Sequence, residues 1–129
     1  MQEMIYEDLK DWKYRVLEGF DLQTDILPDK PIKTAFSSLD QNGLLTIDKG
    51  FCWDGASGAI DTYNIIRGSC VHDAFCNWFD KKLITLEERE KADKLLKTLI
   101  LQDGMGEFRA GIVYGFVKIN TSIRYKLNE

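Results

Sequence analysis

The sequence predicts an α+β fold in which a small antiparallel sheet, or a set of hairpins, precedes about three helices. Short apolar runs with partial alternation fill the first half of the chain, as in strands that bury one face. Asn42-Gly43 stands between two such runs, which is typical of a hairpin turn. The second half repeats its apolar residues at helical spacing, and Thr85-Leu86-Glu87-Glu88 forms a capping-box pattern. A block of strands followed by a block of helices indicates the α+β class.

Turn signals separate the strand-forming segments. Residues 19–21 interrupt the first pair of apolar runs, and Pro28-Asp29-Lys30-Pro31 follows the second run. Residues 54–61 are too rich in glycine and small side chains to form a strand or a helix. The predicted strands cover residues 13–20, 22–27, 32–39, 44–47 and 50–53.

The first two predicted helices carry clear apolar faces. One begins at Thr62 or Asn64 and ends near Phe79, and the other runs from the capping box to about Gln102, before Gly104. Asp93 falls at the edge of the apolar side of the second helix. The predicted inward residues are Ile66, Val71, Phe75, Trp78 and Phe79 on the first helix and Ala92, Leu95, Leu96 and Leu99 on the second.

A third helix is predicted from Glu107 to about Ile119. Its spacing predicts that four large apolar residues face inward, and its small residues would let another element approach closely. The large residues are Phe108, Ile112, Phe116 and Ile119, and the small ones are Ala110, Gly111 and Gly115.

Length and charge limit the classes of protein that fit the chain. Its 129 residues predict one domain spanning 1–129, with ends at 1–8 and 121–129 that can be loose. A net charge of −4 argues against a nucleic-acid polymer as the main partner. No signal segment or membrane-spanning run is evident, and the odd number of cysteines (Cys52, Cys70 and Cys76) argues against a disulfide framework. A bacterial cytoplasm is the expected location.

His72 is the only histidine, and it stands beside Asp73 in the first predicted helix. Because histidine titrates near neutral pH, it can act as a general base, and Asp93 on the next helix is the natural carboxylate to orient it. Asp73 lies about 100° round the helix from His72, so it points to another partner, such as a cation or the glycine-rich segment. The alternative is a buried histidine that ties two helices together.

The glycine-rich segment 53–58 can bring backbone amides close to a ligand. Trp53 offers either a stacking surface or a core anchor, and Arg67 either grips a phosphate or forms a salt bridge. The alternative for the whole segment is a tight turn between sheet and helix. The predicted ligand-binding residues are Trp53, Asp54, Gly55, Ser57, Arg67 and Ser69.

Two kinds of metal site are conceivable from the residue types. Cys76 and His72 are one helical turn apart and can face a zinc ion, with Cys52 or Asp73 nearby, although no Cys-x-x-Cys pair is present. Oxygen ligands from Asp54 and Asp73 suit calcium or magnesium better. The sequence therefore favours a hard cation if a metal is bound.

The motifs resemble a family of phage and prophage proteins designated only as a domain of unknown function. The resemblance rests on Phe51-Cys52-Trp53-Asp54-Gly55-Ala56-Ser57, on Arg67-Gly68-Ser69-Cys70-Val71-His72-Asp73-Ala74-Phe75 and on Ala92-Asp93, and it covers about residues 30–120. It implies a bacteriophage or prophage origin.

A more distant similarity is to phospholipase A-two enzymes of the parvoviral capsid type. Their His-Asp-x-x-Tyr and Ala-Asp-x-x-Phe helices are similar to residues 72–76 and 92–96, although Cys76 replaces the tyrosine and Leu96 the phenylalanine. This similarity implies that His72 is the base, that Asp93 orients it and that Asp73 binds calcium.

Three functions follow as expectations. The leading one is a small hydrolase that uses His72, Asp73 and Asp93 on an ester or phosphoester, with a phospholipid as one candidate substrate. The second is a non-catalytic anti-defence protein that sequesters a nucleotide immune signal of the host, and homo-oligomers are compatible with it. The third is a structural protein of the virion or of lysis.

Overall fold

The computed structural model describes residues 4–11, 13–54 and 63–127, and within them it confirms the α+β class: seven short strands precede three helices. The strands form two antiparallel sheets, ordered β1-β2-β7 and β3-β6-β5-β4. The strands are β1 (Tyr6–Asp8), β2 (Lys13–Val16), β3 (Phe20–Gln23), β4 (Ile32–Thr34), β5 (Ser37–Leu39), β6 (Leu44–Ile47) and β7 (Cys52–Asp54). A 3-10 turn (Tyr63–Ile65) leads into α1 (Ile66–Asp80), α2 (Leu86–Gln102) and α3 (Glu107–Leu127).

The predicted hairpin at Asn42-Gly43 joins β5 to β6. Gly43 has a φ of 86°, which favours glycine, and the Asp40 carboxylate accepts hydrogen bonds from the backbone N–H groups of Asn42 and Leu44 at 2.9 and 2.8 Å. Because these contacts join residues within four positions of each other, the turn could be predicted from the sequence.

The strand half differs from the prediction in three places. The first break covers residues 17–19 rather than 19–21, because β2 ends at Val16 and β3 begins at Phe20. Residues 32–39 form two strands rather than one, because a tight turn after Thr34 folds β5 back on β4, so that Ile32 pairs with Leu39. The Thr34 and Ser37 hydroxyls lie 2.9 Å apart across that turn. In addition, β1 occupies part of the segment expected to be loose, and it pairs with β2.

The first two helices follow the prediction closely. The Thr85 side chain accepts from the Glu88 backbone N–H at 3.1 Å, and the Glu88 carboxylate accepts from Thr85 N–H at 2.8 Å, so the capping box is confirmed. Every predicted inward residue of α1 is buried, while Leu95 on α2 is only half-buried. The main core therefore lies between α1 and the two sheets.

The predicted inward face of α3 is wrong. Phe108 is 84% exposed and Phe116 is 71% exposed, and Ile112 and Ile119 are exposed as well. The helix instead packs on α2 through a second, smaller face and extends to Leu127, past the predicted end. That packed face includes Ala110, Val113, Val117 and Thr121. A helix with two apolar faces and one neighbour leaves one face uncovered. Of the small residues expected to let another element approach closely, Ala110 is buried, but a Cβ at Gly111 or Gly115 would meet nothing within 4 Å.

Gly68 provides a test of the packing between α1 and α2. A Cβ atom at Gly68 would lie 2.9 Å from side-chain carbons of both Ile100 and Leu96. We expect Gly68→Ala to lower the free energy of unfolding by about 1–3 kcal/mol through overpacking, although alanine is the better helix former. Gly111→Ala is the matched control, because a Cβ there meets nothing within 4 Å, and it should stabilise the fold by about 0.5–1 kcal/mol. Chemical denaturation of both variants measures this, and shifts of the same sign would contradict the packing.

Candidate functional site

The predicted contact between His72 and Asp93 is present where α1 packs against α2. His72 Nε2 donates to Asp93 Oδ1 over 2.6 Å. Both residues are buried, with 9% of His72 and 1% of Asp93 exposed. Because the capping box fixes the start of α2, it also fixes the height at which Asp93 meets α1.

Asp93 does not lie at the edge of α2, as the sequence had suggested, but at the centre of a buried polar cluster. Thr121 Oγ1 on α3 donates to Asp93 Oδ2 at 2.6 Å, and Arg89 Nε lies 3.5 Å from Oδ1. The Arg89 guanidinium also lies 5.3 Å from the Phe79 ring centre, and its Nη2 has no hydrogen-bond partner within the described ranges. One carboxylate thus neutralises a buried arginine and holds a histidine.

The sequence reasoning missed Arg89 and Thr121. Arg89 precedes Asp93 by four residues, so helical spacing gave a signal for this ion pair. Thr121 gave none, since it follows the predicted end of α3.

The surroundings of His72 make its ring a cation at neutral pH. Burial lowers its pKa, but the hydrogen bond to Asp93 and the contact with Cys76 outweigh that effect and raise the pKa from 6.5 to about 9. This value lies above the near-neutral pKa that the sequence suggested for His72. A ring with this pKa is a proton donor at pH 7 and a poor free base.

Cys76 lies on the second ring nitrogen of His72. Its Sγ is 3.4 Å from His72 Nδ1, one helical turn along α1, and the thiol is partly exposed. A thiol on one nitrogen and a carboxylate on the other is the arrangement by which a histidine can activate a nucleophile. In the described segments, no group of three or more His, Cys, Asp or Glu is arranged to hold a metal ion.

Asp73 points away from the His72–Asp93 contact, as predicted from the helix rotation. It is half-buried, and Asn77 Nδ2 donates to it over a long 3.5 Å. Burial and the charge of Asp54, at the end of β7, raise the pKa of Asp73 to about 6. The two carboxylates of the predicted cation site therefore lie close enough to repel each other.

Trp53 and Ser69 form a second link between sheet and helix. Trp53 Nε1 donates to Ser69 Oγ at 3.0 Å, and the indole ring packs 5.3 Å from the Tyr14 ring. Trp53 is only 3% exposed, so it is a core anchor, and its ring is closed to ligand stacking. Gly55 and Ser57 lie outside the described residues.

Arg67 forms a buried ion pair away from these groups. Its guanidinium donates to both Asp103 carboxylate oxygens at 2.9 and 3.0 Å, and Gln102 accepts a further bond. With 5% of the residue exposed, this pair ties α1 to the end of α2. Arg67 Nε and Nη2 are thus engaged by Asp103 and Gln102, so the salt-bridge interpretation describes this residue, although the pair lies in the core rather than on the surface.

A groove of about 490 Å³ lies between α2 and α3 and reaches the other side of the Asp93 cluster. Asp93 and Thr121 both contribute to its wall. Its rim carries four lysines and two tyrosines: Lys91, Lys94, Lys118, Lys126, Tyr114 and Tyr125. With Glu87 and Glu90 as its other charged residues, the rim has an excess of positive charge.

Because burial and the charge of Asp54 raise the pKa of Asp73, removal of the Asp73 charge is expected to stabilise the fold at high pH. Because the pKa of Asp73 is raised from 3.8 to about 6, its favourable contribution is complete below 3.8 and is lost as the pH rises through 6. We expect Asp73→Asn to raise the free energy of unfolding by about 1 kcal/mol at pH 8, after allowance for solvent screening, and by nothing at pH 3.5. Asp54→Asn should produce part of the same gain. Denaturation at the two pH values checks this, and an equal gain at both would contradict it.

None of the helices in the described part of the chain is long and apolar enough to cross a membrane. Comparison of the chain with protein-family models, with curated proteins and with solved structures finds no match. The functional argument therefore rests on the geometry around His72.

Proposed function

We propose that the protein is a hydrolase of an ester or phosphoester in which Cys76, His72 and Asp93 act as one unit. The observation that supports this most is the position of His72 between its two partners: Asp93 at 2.6 Å on Nε2 and Cys76 at 3.4 Å on Nδ1. The first contact fixes the ring orientation, so the second nitrogen is left to exchange a proton with the thiol.

The chemistry follows from these contacts. In the neutral form of His72, Nδ1 accepts the proton of Cys76, and the thiolate attacks the carbonyl carbon of the ester. His72 then returns that proton to the departing alcohol oxygen, which leaves an acylated Cys76. Water, deprotonated by Nδ1, cleaves the thioester and restores the thiol. The high pKa of His72 supports the first step, because a ring that binds its proton strongly is a strong proton acceptor once it is neutral.

Asp73 and Asp54 have a separate role in this proposal. Carboxylate oxygens are the ligands that calcium and magnesium prefer, and a divalent cation between the two would relieve their repulsion. Such a cation would supply positive charge for a phosphate group of the substrate, as a phospholipid would require. A calcium-dependent rise in melting temperature that Asp73→Asn abolishes is the corresponding observation.

The test of the hydrolase is acyl transfer to a named thiol. Incubation with p-nitrophenyl acetate, acid quenching and peptide mass spectrometry should locate the acetyl group on Cys76, and p-nitrophenyl phosphate tests the phosphoester in the same way. Cys52→Ser is the matched control, because Cys52 is an exposed cysteine whose Sγ donates only to the Gly50 carbonyl, at 3.5 Å. Labelling of Cys52 as fast as Cys76 would contradict the proposal.

The groove between α2 and α3 favours a second candidate, a non-catalytic protein of a phage that sequesters a nucleotide. Four lysines can hold phosphates, and the ring of Tyr125 can pack against a base. The Tyr114 ring is already in contact with Lys97 and Lys118, each with its Nζ 5.3 Å from the ring centre. Calorimetry with cyclic nucleotides, in which Lys118→Glu weakens binding and the ligand is recovered intact on denaturation, would support this candidate. Turnover that requires Cys76 would favour the hydrolase.

A further inference from the structure

Thr121 directs its hydroxyl differently from the other serine and threonine side chains of α1, α2 and α3. Ser69, Thr98 and Ser122 each donate to a backbone carbonyl three or four residues back in their own helix. This is a common bond for serine and threonine inside a helix. Thr121 Oγ1 on α3 instead donates to Asp93 Oδ2 on α2, over 2.6 Å. A short bond to a carboxylate is among the stronger hydrogen bonds in proteins.

This bond is also the buried contact of the C-terminal half of α3. From Lys118 to Leu127, Thr121 alone is buried, with 3% exposed, and the rest of the segment is exposed. The ion pair of this segment with α1, between Arg124 and Asp80 at 3.6 Å, lies on the surface, where such pairs contribute little. The interior contact of the segment is therefore made by a polar side chain.

Two buried cations share the Asp93 carboxylate unequally. His72 Nε2 lies 2.6 Å from Oδ1, whereas Arg89 Nε lies 3.5 Å from it, and Arg89 Nη2 has no hydrogen-bond partner within the described part of the chain. Arginine beside a carboxylate often binds both of its oxygens through two parallel bonds. Arg67 binds Asp103 in this way, through Nε and Nη2 at 3.0 and 2.9 Å. The same two atoms of Arg89 are left poorly bonded.

We propose that Thr121 is a positioning residue whose hydroxyl keeps the Asp93 carboxylate turned toward His72 rather than toward Arg89. Because Oδ2 is held from α3, rotation of the carboxylate is restricted and Oδ1 stays on His72 Nε2. Without the hydroxyl, the carboxylate can turn to bind Arg89 through both oxygens, and His72 loses its fixed orientation toward Cys76. The inference rests on the proposed function, in which that orientation sets the rate of Cys76 acylation.

The experiment compares acylation of Cys76 by p-nitrophenyl acetate in Thr121→Val and Thr121→Ser. Valine keeps the shape of threonine without the hydroxyl, whereas serine keeps the hydroxyl. Thr121→Val should lower the maximal acylation rate by about tenfold or more and leave the half-saturating ester concentration unchanged, because Thr121 acts through Asp93 and does not touch the ester. Thr121→Ser should retain most of the rate. Thr98→Val is the matched control and should keep the wild-type rate, since the Thr98 hydroxyl bonds only to its own helix.

A second measurement does not require turnover. The Nε2 proton of His72 lies in a short bond to Asp93, so its NMR signal is shifted downfield, and the single histidine makes it assignable. The signal should move upfield in Thr121→Val and stay in place in Thr121→Ser and Thr98→Val. If the wild type does not acylate Cys76, the hydrolase is wrong, and this signal still decides whether Thr121 positions Asp93.

Two results would overturn the role of Thr121. One is a folded Thr121→Val protein whose His72 signal is that of the wild type, or whose acylation rate equals that of an active wild type. The other is an equal loss in Thr121→Val and Thr121→Ser, which would show that the side chain only packs α3 on α2. If circular dichroism shows that Thr121→Val does not fold, Thr121→Ala, which removes the hydroxyl without placing a methyl group against the carboxylate, takes its place in both measurements.

Discussion

Replacement of Cys76 by alanine is expected to reduce ester hydrolysis by about 10³-fold or more, with only a small loss of stability. The large effect follows because the thiol is the proposed nucleophile, and the small one because Cys76 is partly exposed. His72→Ala should reduce the rate by a similar factor. The double variant should be no slower than either single variant, since groups that act as a unit do not contribute additively.

The kinetic comparison is made against Cys52→Ala, which should keep the wild-type rate. If the losses from Cys76→Ala and His72→Ala multiply in the double variant, the two residues act separately. If Cys76→Ala retains full activity while His72→Ala does not, water rather than the thiol is the nucleophile, and the acyl-cysteine chemistry is wrong.

Asp93→Asn is expected to lower the free energy of unfolding by about 3 kcal/mol or more, because it leaves Arg89 and the His72 cation buried without a counter-charge. The loss depends on pH. Since the pKa of His72 is raised from 6.5 to about 9, its contribution to stability is complete below 6.5 and is lost as the pH rises through 9. The difference between wild type and Asp93→Asn should therefore be largest at pH 6 and smaller at pH 10.

Leu95→Ala is the control for this pH profile. Leu95 is half-buried on the same helix, so its truncation should cost stability equally at both pH values. A pH-independent difference between wild type and Asp93→Asn would show that His72 and Asp93 do not form an ion pair. Because Asp93 is buried rather than at the edge of α2, its loss is expected to lower stability as well as activity.

The features that local contacts determine were predictable from the sequence. The capping box at Thr85 and the Asn42-Gly43 turn depend on residues within four positions of each other, and both are present. The meeting of His72 with Asp93 followed from the start of α2. In contrast, residues 32–39 fold back on themselves through a tight turn at residues 34–37, which contains no glycine, proline, asparagine or aspartate to signal it.

The site was predicted only in part, for a similar reason. The apolar spacing of α3 predicted a helix, but it did not indicate which of the two apolar faces α2 would cover. Thr121 lies on the covered face, which the sequence did not identify. Arginine and tryptophan occur both in ligand-binding sites and in protein cores, so residue type alone could not assign Arg67 or Trp53 to either. Only their burial and their partners, Asp103 and Ser69, place them in the core.

The most direct measurement of the central claim, that Asp93 orients His72 and raises its pKa beside Cys76, is an NMR titration of the His72 ring. His72 is the only histidine, so its signals need no separation from others. We predict a pKa of about 9 in the wild type and a large fall in Asp93→Asn, with a smaller fall in Cys76→Ala. A pKa near 6.5 that Asp93→Asn leaves unchanged would contradict the claim.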